Sequence, residues 1–337
     1  MILLCLLLSG GVRAQQNNVH KVDFRRADSL AAIHKGEGLN SLPILAYKLT
    51  ASLSTEVERF RAIYTWVSTN IDNDYEYYRK NSKKRKKWQH DSLALVNWNR
   101  QFRPKVFKKM VEEQKTICTG YAYLVRELAT LAGIASEIVD GYGRTVASNI
   151  GESGIANHSW NAVQLNGQWY LCDATWSSGS ISQHEGKVHF VRNYNDGYFL
   201  AEPALFVKNH YPSDTTWILM KRKPKLEEFL RAPLVYRSAF SHGIIPVEPT
   251  TMNVLLAKEE DFIFSFKMTD TTHLDRITLE LSRGTDHQVV TPTLISCQDE
   301  VCQFRYSFSQ LGSYDVHVRV GKDDIVTYTV RVERGKR

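Results

Sequence analysis

Between Lys115 and Gly133 the apolar residues Tyr121, Leu124, Val125, Leu128, Leu131 and Ala132 recur at helical spacing, and Gly133 stands where a helix of that phase ends on a left-handed residue. The pattern predicts a helix whose first turn holds Cys118. Ahead of it, Ser41 with Pro43 opens a short helix, and Thr55 with Glu58 has capping-box spacing before Phe60, Ile63, Tyr64, Val67 and Ile71. Downstream the period shortens to two. Asn166-Gly167 separates two strand-forming runs, which predicts a hairpin with a two-residue type I′ turn. In that register Leu165 faces Gln168, Asp173 faces Trp160 and His158 faces Thr175. His158 and Asp173 then share one face as diagonal neighbours, while Cys172 turns to the other. Alternation returns in DFIFSFKM, RITLELS, QVVTPTLI, CQFRYSF, YDVHVRV and IVTYTVRV, broken by polar and glycine turns. Six such strands predict an immunoglobulin-like β-sandwich.

Helices followed by a hairpin suit an α+β arrangement rather than a parallel α/β one. A length of 337 residues suits two domains. The boundary falls between the basic, proline-containing Lys221–Lys225 stretch and Pro246, and we set the domains at 15–232 and 233–337.

The candidate chemistry follows from these placements. Unpaired N–H groups and the helix dipole at a first turn favour an anion, which makes Cys118 a nucleophile candidate. A carboxylate bonded to one imidazole nitrogen fixes the ring's tautomer and leaves the other nitrogen to handle the thiol proton. Cys118, His158 and Asp173 therefore form a catalytic constellation. The Cys118 N–H is one oxyanion donor, and Trp66, Trp88, Gln89 and Trp98 all stay open as the second. His184 and His189 lack partners at ligand spacing, and Asn193 to Gly197 lacks the alternating acids of a calcium loop, so neither metal nor cofactor is expected. Ser177 to Asp196 is polar and glycine-rich, as in a loop near the site, and Gly197 to Leu219 is assigned no chemistry.

FRAIYTWVSTNID (Phe60 to Asp72), ICTGYAYLVRELATLAGI (Ile117 to Ile134), Gly141-Tyr142, NHSWNAVQLNGQWYLCDATW (Asn157 to Trp176) and GYFLAEPALFVKNHYPSDTTWIL (Gly197 to Leu219) resemble the transglutaminase-like superfamily, a papain-like group, over most of residues 40 to 220. The resemblance is nearer to the branch with the kyphoscoliosis-type peptidases and many secreted bacterial proteins. It implies a core of helices packed on an antiparallel sheet, with nucleophile, base and orienting acid at Cys118, His158 and Asp173. It also implies acyl transfer through a thioester on a protein or peptide substrate, with hydrolysis favoured over cross-linking. Ala174, where the branch has proline, and Ile218, where it has glutamine, depart from the pattern. A catalytically silent scaffold is the alternative, and three intact residues argue against it.

Residues 1–14, MILLCLLLSGGVRA, have the apolar run and small residues of a secretory signal cut before Gln15, too short to span a bilayer. The expected location is periplasmic or extracellular, without a membrane span in the mature chain. There Cys297 and Cys302, flanking the polar QDEV, are candidates for a local disulfide. Residues 79–109 hold twelve Lys or Arg against Asp91 alone, a charge of +11 in a chain of +7, so the remainder is acidic. We read this segment as a solvated basic loop, with an anionic glycan or an acidic substrate as the contact it could make. Nucleic acid is not an expected partner of an exported protein.

Overall fold

The computed structural model describes residues 22–146, 155–184, 186–268 and 270–335. The expected signal segment 1–14 lies outside them. Helices α1 (Arg25–Ile33), α2 (Leu42–Thr50), α3 (Glu56–Asn70), α4 (Tyr75–Lys87) and α5 (Ser92–Glu113) lead to α6 (Cys118–Leu131). Thr55 and Glu58 cap α3 reciprocally, the Glu58 N–H donating to Thr55 Oγ1 at 3.2 Å and the Thr55 N–H to Glu58 Oε2 at 3.1 Å. The α3 stripe predicted from spacing is the core: Phe60, Ile63, Tyr64, Val67 and Ile71 are fully buried, packed with α1, α2 and α6. Gly133 ends α6 at φ +75°, the conformation that favours glycine.

Four antiparallel strands pack on these helices in the order β5 (Gln168–Cys172), β4 (His158–Leu165), β3 (Ser136–Gly143), β8 (His210–Pro212). The hairpin has the predicted register, with Leu165 opposite Gln168 and Asn161 opposite Cys172, and both turn residues have positive φ. Val163, Leu165, Tyr170 and Cys172 face the helices, whereas Trp160, Ala162 and Leu171 face away. Neither face is solvated, because the second packs against the C-terminal half of the chain.

That half is a sandwich of two sheets. One runs β10 (Ile244–Glu248), β12 (Asp261–Met268), β16 (Val301–Ser307), β15 (Thr293–Gln298). The other runs β11 (Asn253–Ala257), β18 (Asp323–Glu333), β17 (Gly312–Val320), β13 (Ile277–Arg283), β14 (Asp286–Val290). Inward alternation places Phe262, Phe264, Phe266 and Phe304 between them, fully buried, and each such burial contributes roughly 1.5–3 kcal/mol. QVVTPTLI is two strands rather than the one predicted: β14 ends at Val290 and β15 begins at Thr293, because Pro292 between them cannot donate to a ladder. Cys297 and Cys302 face each other across β15 and β16 and are joined by a disulfide.

Two segments read as loops are regular. Residues 79–109 lie in the helical hairpin α4–α5. Asp74 caps α4 by accepting from the Tyr77 N–H at 3.0 Å, and Lys84 to Lys87 occupy its last turn, where the helix dipole favours cations. Tyr77, Tyr78 and Trp98 pack with Phe102 and Val106 between the two helices, a periodicity hidden by the charge. The stretch after Asp173 forms α7 (Ala174–Ser178) and the hairpin β6 (Gly179–His184), β7 (Lys187–Arg192). Gly179 is needed there, since a Cβ would lie 2.2 Å from the Val191 carbonyl oxygen. Among the described residues no helix is long and apolar enough to cross a membrane.

Candidate active site

Cys118 is the first residue of α6, following Ile117 in the N-cap position, and it is buried. It has no intrahelical acceptor for its N–H at this position. Cys118 and Cys172 are both free. Cys172 sits on the helix side of the sheet, as its parity requires, and burial followed by the charge of Asp173 pushes its thiol well above the ordinary range.

Pairing of β4 with β5 stops at Asn161 and Cys172, and Asp173 leaves the strand to cap α7. Its Oδ1 accepts the Thr175 and Trp176 N–H groups at 2.8 and 3.1 Å. Oδ2 is thereby aimed at His158, whose Nε2 lies 2.7 Å away. The predicted neighbours do meet, although the cap rather than a continued ladder sets the acid's direction. Burial works to raise the Asp173 carboxyl, but the charge of His158 and hydrogen bonds from His158 and His210 hold it well below the usual range. For His158 burial works downward. The charge and hydrogen bond of Asp173 outweigh it, hydrogen bonding and charge from Cys118 add to them, and the ring is pushed up to about 10. His158 is thus coupled to Asp173 and to Cys118.

Trp176 stacks on the His158 ring at 5.0 Å and 30°. Behind the ring the chain must be bare: a Cβ on Gly143 would lie 3.0–3.1 Å from three His158 carbons. The Trp176 stack and the room left by Gly143 accommodate the imidazole in this orientation.

Sequence reasoning missed His210. Its Nε2 lies 3.0 Å from the same Asp173 Oδ2, it is almost wholly buried, and Phe206 stacks on it at 4.1 Å. Burial pushes the ring down to about 4, against the pull of Asp173, so it adds a donor without adding a charge. The expectation that Gly197 to Leu219 carries no chemistry is therefore corrected. His210 arrives by the pairing of β8 with β3, Gly143 opposite His210, which no local pattern announces. The nearest signal was its place inside a stretch that matched the family.

The ligand-capable atoms of His158, Asp173 and His210 lie within 4.8 Å of one another. A cation could enter that set only by replacing both hydrogen bonds to Oδ2. Two of the four oxyanion candidates are committed elsewhere: Trp66 Nε1 donates to the His34 carbonyl oxygen at 2.8 Å and Trp98 Nε1 to Asn81 Oδ1 at 2.9 Å. Trp88 follows α4 and lies tilted against Trp98, with ring centroids 5.8 Å apart.

The C-terminal half is built into the wall of the site. Tyr198, beside Trp176 and His210, stacks on Phe240 at 4.1 Å. Arg237 donates to the Trp176 carbonyl oxygen at 3.2 Å, and Asn195 Nδ2 donates to the Arg237 carbonyl oxygen at 3.0 Å.

Cys118 opens a helix, His158 opens a hairpin strand and Asp173 stands at that hairpin's end, and the papain-like class of cysteine enzyme is the one the family match supports. Residues 44–174 match the transglutaminase-like superfamily, and the chain belongs to it. Within it the chain groups with the kyphoscoliosis peptidase branch. It is 32% identical to kyphoscoliosis peptidase of Mus musculus over 232 residues, 68% of this chain and 31% of that protein. The Homo sapiens protein is likewise 32% identical, over 63% of this chain and 29% of its own length. Hillarin of Drosophila melanogaster is 23% identical over 66% of this chain and 26% of its own. The chain thus spans about a third or less of the length of these curated relatives.

Proposed function

We propose that the protein is a cysteine peptidase or amidase working through a thioester. The observation that carries the reading is the His158 ring, gripped by Asp173 at 2.7 Å through Nε2 and pushed up to about 10 with Cys118 among the causes. With Nε2 committed, Nδ1 is the nitrogen left for the sulfur. A protonated ring there pairs with a thiolate. The sulfur attacks the carbonyl carbon, and the Cys118 N–H receives the oxyanion. His158 then passes its proton to the leaving nitrogen as the C–N bond breaks. Water attacks the thioester, its proton goes to His158, and the C–S bond breaks to release the acid and restore the thiolate–imidazolium pair.

Asp173 orients the ring throughout, and His210 holds Asp173. Neither touches substrate in this scheme, so they are positioning residues. Hydrolysis is favoured over cross-linking because two of the relatives named above are peptidases. Export is part of the proposal, supported by the Cys297–Cys302 disulfide, a bond suited to an oxidising compartment.

The test is iodoacetamide labelling of Cys118 at pH 6 in wild type and His158→Ala, read by mass spectrometry. Fast labelling that slows about tenfold or more in the variant is expected, since the cationic ring is what supplies the thiolate. Equally slow labelling in both sinks the enzyme and leaves a scaffold.

A further inference from the structure

Two imidazoles share one carboxylate oxygen in the site. Asp173 Oδ2 lies 2.7 Å from His158 Nε2 and 3.0 Å from His210 Nε2, and the ring centres are 5.4 Å apart. All three side chains are buried. Beside a carboxylate each Nε2 has to donate, so a neutral ring differs from a cationic one only in whether Nδ1 carries a proton as well. At His158 that nitrogen is left for Cys118. At His210 it meets the buried amide of Asn209, whose Oδ1 stands 2.6 Å away.

Main-chain bonds hold Asn209 in place: its N–H donates to the Phe206 carbonyl oxygen at 3.3 Å, and its own carbonyl oxygen accepts the Arg144 N–H at 2.8 Å, beside the pairing of Gly143 with His210. A half turn of the planar amide nevertheless exchanges Oδ1 and Nδ2, and only their partners decide between the two. With Oδ1 on Nδ1, His210 has to donate from both nitrogens, which makes it a second buried cation on the carboxylate that His158 already uses. Burial opposes this most, and the charge of His158 adds to it. Asp173 and the Phe206 backbone pull the other way without prevailing, and the ring is held down to about 4. A neutral His210 bonded to Asp173 through Nε2 needs a donor at Nδ1, which is Nδ2 of Asn209. The same half turn meets a second demand. The Tyr198 hydroxyl is fully buried and has no partner among the described residues, although the Asn209 side chain is near enough to act on it, against the burial and the Asp173 charge that push it up. Turned over, Asn209 offers that hydroxyl Oδ1 as an acceptor.

We propose that Asn209 is a positioning residue of the site: Nδ2 donates to His210 Nδ1, Oδ1 accepts from the Tyr198 hydroxyl, and the positive charge of the two imidazoles is thereby kept on His158, the ring that serves Cys118. The assignment rests on the cysteine-enzyme reading above, and its test is independent of the labelling that decides that reading. The full chain, labelled with nitrogen-15 in histidine, is observed by NMR at pH 7.5, with His210→Phe used to identify the His210 signals. Expected is a His210 ring with a proton on Nε2 and a bare Nδ1, beside a His158 ring protonated at both nitrogens. A His210 ring protonated at both nitrogens or at Nδ1 alone, or a neutral His158, overturns the assignment.

Asn209→Asp and Asn209→Leu separate proton placement from packing. Aspartate has the size of asparagine but only accepts, so His210 should become cationic. A second cation 5.4 Å from the first is worth about two pH units at an effective dielectric of about 20, and the new carboxylate offsets part of it, so the His158 midpoint should fall by about one. Leucine neither donates nor accepts, so His210 stays neutral and the His158 midpoint should move by less than about half a pH unit. A merely structural role gives the opposite order, with the isosteric aspartate tolerated and leucine disruptive. That order, or a His210 that stays neutral in Asn209→Asp, overturns the proposal. Tyr198→Phe tests the other end without a change of charge: removing a bonded hydroxyl lowers the urea midpoint, as expected here, whereas removing an unpaired one raises it and overturns the bond to Oδ1. Slow iodoacetamide labelling of Cys118 beside the expected His210 spectrum sinks the enzyme and leaves Asn209 in its place; fast labelling beside a cationic His210 does the reverse.

Discussion

Asp173→Asn isolates the electrostatic core of the site without removing a side chain. Asparagine keeps Oδ1, and with it the cap that accepts Thr175 N–H at 2.8 Å and Trp176 N–H at 3.1 Å. At the Oδ2 position it puts an amide N–H₂ against the Nε2 atoms of His158 and His210, formerly 2.7 and 3.0 Å from an acceptor. Two donors then face two donors. Each ring must then leave Nε2 without a proton and keep its single proton on Nδ1, so His158 loses the doubly protonated, cationic form that pairs with the Cys118 thiolate. The charge that outweighed burial is also gone, and His158 should titrate below its ordinary value of about 6.5 rather than at about 10.

At pH 7.5 a ring titrating below about 6.5 is cationic in at most about a tenth of molecules, so labelling of Cys118 should fall about tenfold or more. Cys172, buried and pushed up, remains a silent reference. Breaking the buried pair should cost about 3–5 kcal/mol in urea unfolding. The sign of its pH dependence follows from the two shifts. His158 is raised, so its contribution is complete below about 6.5 and disappears as pH climbs through about 10. Asp173 is depressed, so its contribution is present above about 4 and disappears as pH falls. Wild type should therefore lose stability between pH 7 and 10 more steeply than the variant. Nitrogen NMR of the histidine rings reads the titration directly. A His158 midpoint still near 10 in Asp173→Asn, or unchanged labelling at pH 7.5, would refute the reasoning.

Other changes probe the supports of the site. His210→Phe keeps an aromatic ring on Phe206 but removes the second donor to Asp173, and should cost about 1.5–3 kcal/mol, the range for a hydrogen bond to a charged group. His158 should stay cationic at neutral pH in this variant, and a ring found neutral would show that His210 does more than hold the acid. Phe240→Ala empties the wall behind Tyr198 and should cost about 3–5 kcal/mol. Unfolding in a single transition lowered by that amount is expected, and a wild-type midpoint would mean that the two halves are independent.

The amino-acid pattern alone was enough to start α6 at Cys118, to turn the hairpin at Asn166-Gly167 and to put His158 and Asp173 on one side with Cys172 on the other. Each of these depends on residues within a few positions of one another, on helical period, turn chemistry and strand alternation. The same pattern misjudged residues 79–109, because twelve cations masked the apolar stripe that packs Tyr77, Trp98, Phe102 and Val106 between two helices. Tertiary structure decided the rest. His210 reaches Asp173 because β8 joins the edge of β3, and Phe240 reaches Tyr198 because the apolar far side of β4 and β5 has to be covered. Those contacts join segments tens of residues apart, and only burial of shared surface brings such segments together.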